Sequence, residues 1–431
     1  MGTTLHNLQG LRGIACLLVL GIHMGGWESN FGVAREFLRP FRWFGFAGVD
    51  LFFVISGFII AHTQAGAFGQ PRKLPGYLLR RFWRVYPLFW IAMVIAVPLM
   101  SWALGECAFD DWGAWLTLTP AEYPNYYIPP AWTLNYEVTF YGAFGLLLLL
   151  PRRVAPWLLL AWAIVIGAAQ ILKTDNSFHA ATIGQSLVSP LIWEFLLGCA
   201  VAFAVRSFPA RFGRLAILAG LLWAAGWMTA FAVPGQPYAL CTMVLERSLA
   251  CGPAAALIVY GCIAAERQGT LRLPKWLQST GDASYSIYLW HGPVGMSLHY
   301  SILGWPHHTA PHLAWLAFML LVCWGGGMLL HHWVERPLMN LMKREPMRVE
   351  PVIIQARVPV LFHGEGHLDE LLIGSLGNRG NHVEFECLPD AVAANVLQPL
   401  VDDELIFPGF PELGSRPDFH AGLGRVRRND R

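Results

Sequence analysis

The fold is decided by residues 8–26, Leu8-Gln9-Gly10-Leu11-Arg12-Gly13-Ile14-Ala15-Cys16-Leu17-Leu18-Val19-Leu20-Gly21-Ile22-His23-Met24-Gly25-Gly26. The run is long enough, as a helix, to cross about 30 Å of hydrocarbon. Its two ionisable residues, Arg12 and His23, lie eleven positions apart. That separation is about 16 Å along a helix axis, and eleven steps of about 100° bring both side chains to within roughly 20° of one stripe. Such groups are costly inside a bilayer unless they face protein or water. The run therefore predicts a bundle built to house a cation and an imidazole at two depths. Taken alone, the pair also has a structural reading: a snorkelling arginine and a histidine hydrogen-bonded within the bundle.

Working outward, the composition agrees. Of 431 residues, 55% are hydrophobic and only 13% charged, where a soluble domain carries about 25%. The chain reads as an all-α polytopic membrane protein. Apolar runs near 8–26, 46–63, 84–103, 132–150, 156–172, 187–205, 215–233, 247–265, 284–303 and 312–333 predict ten transmembrane helices. Charge divides the chain: residues 1–344 carry a net +8 and residues 345–431 a net −6. The expectation is a transmembrane domain over 1–344 and a small soluble tail over 345–431, with a β-like run at 352–362. The eight cysteines have no paired spacing and read as small core residues. No metal-ligand pattern and no nucleic-acid partner is expected. The first apolar run lacks a basic leader and a cleavage signal, so it is expected to stay in the membrane.

Arginine and lysine in the short connections give the orientation. One alternate set holds Arg72, Lys73, Arg80, Arg81, Arg84, Arg152, Arg153, Arg206, Arg211, Arg214, Arg267, Arg272, Lys275, Arg336, Lys343 and Arg344. The other holds only Arg35, Arg39, Arg42, Lys173 and Arg247, together with Glu106, Asp110, Asp111 and Glu122. The first set, and both termini, are thus expected on the cytoplasmic side. Trp27, Trp43, Trp112, Trp115, Tyr123, Tyr126 and Tyr127 fit an interfacial aromatic belt, with stacking on sugar rings the alternative.

Four further groups bear chemistry. In Arg80-Arg81-Phe82-Trp83-Arg84-Val85-Tyr86-Pro87, Arg81 and Arg84 share a helix face and match phosphate oxygens; positive-inside anchoring is the plain alternative. Glu137, in Trp132-Thr133-Leu134-Asn135-Tyr136-Glu137, is an intramembrane carboxylate with Tyr141 one turn on, and Glu194 raises the same question. Each either makes a structural hydrogen bond or orients an imidazole or an incoming hydroxyl. Ser284, Tyr288 and His291 form a polar stripe at i, i+4 and i+7. Asp50 opens the second apolar run, where it either caps the helix or pairs with an arginine.

These pieces, together with Gly48-Val49-Asp50-Leu51-Phe52-Phe53-Val54-Ile55-Ser56-Gly57-Phe58 and Glu335-Arg336-Pro337, occur in order over roughly residues 5–340. The chain resembles the membrane-bound acyltransferase-3 family of bacterial polysaccharide O-acyltransferases. The resemblance implies ten helices in the bacterial inner membrane and acyl-coenzyme A (acetyl-CoA by default) as a cytoplasmic donor, with no permanently bound cofactor. It also implies a hydroxyl acceptor on a glycan or lipid-linked saccharide. By the same match His23 is the catalytic residue, and Arg12, Arg81 and Arg84 bind the donor. Glu137 is added as a catalytic partner, with Glu137 or Asp50 expected to fix the imidazole tautomer. Asp50, Tyr141, Glu194, Ser284, Tyr288 and His291 complete the candidate site. Two other classes remain: a transporter or flippase of a glycan-lipid, though no repeat relates 1–170 to 171–340, and an inactive membrane scaffold.

Overall fold

A computed structural model describes residues 5–30, 36–104, 112–122, 127–172, 179–231, 239–303, 312–344, 372–376 and 383–387. The chain divides into two units, Met1–Pro346 and Met347–Arg431. Among the described residues the first unit is entirely helical. Its long helices are α1 (His6–Ser29), α2 (Ala47–Thr63), α3 (Leu74–Leu104), α4 (Trp132–Leu147), α5 (Ala155–Ile171), α6 (Leu191–Ser207), α7 (Gly213–Ala230), α8 (Val244–Arg267), α9 (Ser284–Leu303) and α10 (312–344). Five of them, α1, α3, α7, α8 and α10, are long and apolar enough to cross a membrane, and α2 and α5 are shorter apolar helices. The second unit contains the antiparallel strands β1 (Leu372–Leu376) and β2 (Val383–Cys387), with Leu372 opposite Cys387. The β-like run expected at 352–362 lies outside the described residues.

The outer faces explain why these sequences form helices in lipid rather than in water. On α5, Trp157, Leu160 and Ile164 are exposed, and on α7, Leu215, Leu218 and Leu222 are. Both sets follow helical spacing, so each helix turns an apolar stripe outward. In water such stripes would be aggregation-prone patches; in hydrocarbon they are the required surface, because helices satisfy their own backbone groups there.

Helices pack most closely where glycines meet backbone. Gly57 on α2 faces the Phe195 carbonyl of α6, and Gly198 on α6 faces the Val54 carbonyl of α2. Gly13 on α1 and Gly281 on the short helix Lys275–Asp282 do the same for that pair. A Cβ at any of the four would collide with backbone. This is the small-residue contact that lets apolar helices gain dispersion contacts without a hydrophobic driving force.

The basic connections gather at one end of the bundle. Arg206 donates to the His62 carbonyl, Arg267 to Val205 and Arg214 to Thr270, while the Gly69 N–H donates to Leu148. At that end the start of α1 is pinned: Glu266 accepts from the N–H groups of His6 and Asn7, and the Asn7 side chain bonds Cys262, Leu271 and Leu273. One expected loop cation moves inside. Arg247, assigned by sequence to a connection, is fully buried on α8, which begins at Val244, ahead of the apolar run.

Candidate active site

Two cavities in the first unit share part of their lining. The larger, about 770 Å³, is lined by Arg12 of α1, Arg81 and Arg84 of α3, Glu137 and Tyr141 of α4, and Ser284 of α9. The smaller, about 300 Å³, is lined by His23 and Trp27 of α1, Trp132 of α4 and Arg247 of α8. Val49 of α2 and Tyr288 of α9 belong to both walls. The three arginines singled out by sequence thus share one chamber, and the histidine lines the adjoining one.

The imidazole is held by backbone. Its Nδ1 lies 2.8 Å from the Val19 carbonyl oxygen, which can only accept, so Nδ1 carries the proton and Nε2 keeps the lone pair. His291 approaches from α9 with its Nε2 at 3.3 Å from His23 Nδ1 and its own Nδ1 at 3.0 Å from the Ile287 carbonyl. The same logic protonates His291 on Nδ1 and makes its Nε2 an acceptor for the His23 N–H. Both rings are therefore satisfied as neutral species, and His23 Nε2 is left as the basic nitrogen on a ring that lines the smaller cavity.

The stripe on α9 acts as one face. Ser284 Oγ accepts from Arg12 Nη2 at 2.8 Å, while Arg12 Nη1 donates to Gln9 at 2.9 Å. Tyr288 Oη bonds Thr133 Oγ1 at 2.7 Å and donates to the Pro130 carbonyl at 3.1 Å. His291 meets His23 as described. Sequence spacing alone placed the three together; the structure adds that each contacts a different part of the chamber wall.

At the arginine end, Arg84 donates to Glu335 at 2.7 Å and stacks 5.4 Å over the Tyr285 ring. The other Glu335 oxygen accepts from Ser286 at 2.7 Å and from His331 at 2.8 Å. In the sequence Glu335 stands out only as part of Glu335-Arg336-Pro337. His331 precedes it by one helical turn, a spacing that signals a shared face, and α10 opens into a π-turn there, His331–Glu335, as it also does at Leu321–Gly325; such turns are frequent at functional sites. Arg81 lies 5.6 Å from the centre of the Tyr77 ring and 5.3 Å from that of Tyr141. Aromatic faces favour a cation without neutralising its charge.

The carboxylates fall elsewhere than expected. Glu137 accepts from Ser56 at 2.8 Å and from Tyr141 in a short hydrogen bond; it lines the larger cavity, and His23 lines the smaller. Asp50 takes the arginine option: both its oxygens accept from the Arg247 fork at 2.9–3.1 Å, with both side chains buried. Neither carboxylate fixes the imidazole tautomer; the Val19 carbonyl does, a backbone partner with no sequence signature. Glu194 is fully buried on α6 within electrostatic range of Asp50 and Arg247.

Residues 5–331 match the family model described as an acyltransferase domain. The chain belongs to the acyltransferase-3 family. It is therefore an acyltransferase, which displaces the transporter and scaffold readings. This acyltransferase is 30% identical to the exopolysaccharide production protein ExoZ of Rhizobium meliloti over 57% of this chain and 75% of ExoZ. It is 25% identical to the putative membrane-bound transacylase BcsY of Komagataeibacter xylinus over 79% and 84% of the two chains. With the peptidoglycan O-acetyltransferase OatA of Listeria monocytogenes it shares 24% identity over 67% of this chain, spanning about half (49%) of OatA. No solved structure matches it.

Of the seven aromatic residues assigned to a belt or a sugar surface, Trp115 and Tyr127 are buried against each other with ring centres 5.6 Å apart. Trp27 lines the smaller cavity of the acyltransferase, and Tyr123 and Tyr126 lie outside the described residues. The cysteines of the described bundle are free, and all but Cys241 are buried.

Proposed function

We propose that this protein O-acylates a cell-surface or exported glycan, taking the acyl group, acetyl by default, from acyl-CoA. In this reading all ten long helices span the bacterial inner membrane, the basic connections and both termini are cytoplasmic, and the donor enters the larger cavity from the cytoplasm. Arg12, Arg81 and Arg84 bind its phosphates, for which guanidinium forks are suited. The pantetheine arm runs toward Val49 and Tyr288, and the thioester carbonyl reaches the edge of the smaller cavity.

There His23 Nε2 takes the proton of the acceptor hydroxyl as its oxygen attacks the thioester carbonyl. A C–O bond forms, the C–S bond breaks, and the imidazolium returns its proton to the leaving thiolate, so coenzyme A departs as the free thiol. Neither reactant has to diffuse once both chambers are filled, and holding them together supplies much of the rate. Glu137, bonded to Ser56 and Tyr141, belongs on this reading to the donor side rather than to the imidazole.

The observation that carries the proposal is the junction: cations line one cavity, an imidazole lines the next, and the two share lining residues. The names of ExoZ and OatA support a saccharide acceptor. The test is mass spectrometry of surface glycans from cells with the wild-type chain, with His23→Ala and without the chain. An acyl mass present only with the wild type is expected. Unchanged acylation by a membrane-inserted His23→Ala variant would overturn the assignment.

A further inference from the structure

Val49 and Tyr288 are the side chains that line both cavities, and they mark the waist between them. We propose that this waist gauges the length of the transferred acyl chain and that Val49 sets the limit. The proposal rests on the reading above, in which the thioester arrives from the arginine-lined cavity and is attacked beside His23.

The argument is one of space and stiffness. With the carrier arm on one side and the imidazole on the other, the acyl carbonyl has to sit at the junction. Its tail then projects past Val49 into about 300 Å³, space that also has to admit the acceptor hydroxyl. Each added methylene takes up roughly 30 Å³, about a water's share of the liquid. A butyryl tail therefore uses about a fifth more of the chamber than an acetyl tail does.

Neither side of the waist gives way. Tyr288 is tethered through its hydroxyl to Thr133 and to the Pro130 carbonyl, and its ring meets Phe52 edge-on at 6.1 Å. Val49 is β-branched on a helix, where one χ1 rotamer dominates. Its backbone is pinned as well: the preceding Gly48 lies so close to the Ala15 carbonyl and Leu18 of α1 that a Cβ there would collide. Packed walls of this kind do not stretch to fit a longer guest.

The test gives membranes containing the full chain and their native glycan an equimolar mixture of acetyl-, propionyl- and butyryl-CoA. Acylated products are counted by mass, and thiol release is followed in parallel. A product ratio is independent of how much protein folds, so a destabilised variant still reports. Val49→Ala is expected to raise the butyryl-to-acetyl ratio about tenfold, and Val49→Leu to lower it by a similar factor, the scale of discrimination a methylene provides in an apolar pocket. Ratios within about twofold of wild type in both variants would sink the gauge and leave the donor reading intact. No thiol release from acetyl-CoA by the wild type would overturn the donor reading and the gauge with it.

Discussion

Replacing His291 isolates what the second imidazole contributes. In the native arrangement His23 Nδ1–H has two acceptors, the Val19 carbonyl at 2.8 Å and His291 Nε2 at 3.3 Å, and the rings meet edge-on with centres 5.0 Å apart. His291→Phe keeps the Val19 bond, so the tautomer and the basic Nε2 survive. What is lost is the acceptor and edge that fix rotation of the His23 ring. One such hydrogen bond contributes on the order of 0.5–1.5 kcal/mol, which corresponds to about a 2- to 13-fold fall in kcat. His23→Ala removes the proposed base and is expected to cost roughly 10²–10⁴ in kcat. On the proposed reading the donor's phosphates are held in the other cavity, so donor KM should stay near wild type in both. His291→Gln can present its Oε1 to the same N–H and should recover most of the rate. The assay is initial-rate thiol release over a range of acyl-CoA concentrations. An unchanged kcat in His291→Phe would refute the positioning role. So would equal losses in the Phe and Gln variants with a raised KM.

Three more outcomes follow from the geometry. On the proposed reading Arg84→Ala leaves Glu335 without its guanidinium beside the donor phosphates, so donor KM should rise about 10- to 100-fold, and adding Glu335→Gln should recover part of it in steady-state kinetics. Asp50→Asn removes the carboxylate that accepts from the buried Arg247 fork and should cost about 3–5 kcal/mol of stability, as read from thermal unfolding in detergent. Gly57→Ala and Gly198→Ala push a methyl into a backbone carbonyl across the α2–α6 contact and should reduce the yield of folded protein, while Gly142→Ala, with open space beside it, should not; size-exclusion recovery distinguishes them.

What could be read from the sequence was whatever repeats locally. Apolar runs located the helices because length and hydropathy are local properties, and each run falls on one of α1–α10. The Ser284–Tyr288–His291 stripe was legible for the same reason, since one helix carries all three. Partners distant in sequence were not. Asp50 and Arg247 are separated by 197 positions, and nothing in either neighbourhood names the other. Arg247 was read as a loop cation because a charge at the edge of an apolar run normally stays in water. The assignment of Glu137 to the imidazole failed for a different reason. A carboxylate inside a membrane has to have a partner, but that rule does not say which, and here hydroxyls of Ser56 and Tyr141 outcompete a histidine that backbone already satisfies.

The placement of α9 turns these separate contacts into a single device. Ser284 touches Arg12 and His291 touches His23, so α1 and α9 run side by side in the same direction, joined near both chambers. The eleven-residue gap on α1 spans about 16 Å, and the seven-residue gap on α9 about 10 Å. The difference of about 6 Å is taken up by the long Arg12 side chain, the flexible member of the four. The imidazole end is set by short contacts between rings and backbone carbonyls. The adjustable part therefore lies where, on the proposed reading, a charged carrier enters and leaves, and the rigid part where the proposed bond-making demands alignment within about half an ångström. If donor binding shifts Arg12 away from Ser284, only the arginine needs to move, and His23 keeps its orientation. A spin label or fluorophore near the arginine end should respond to coenzyme A, while one near His299, beyond His291 on α9, should not. A coenzyme A-dependent signal at both positions would show that α9 moves as a whole, and the rigid-spacer argument would then be wrong.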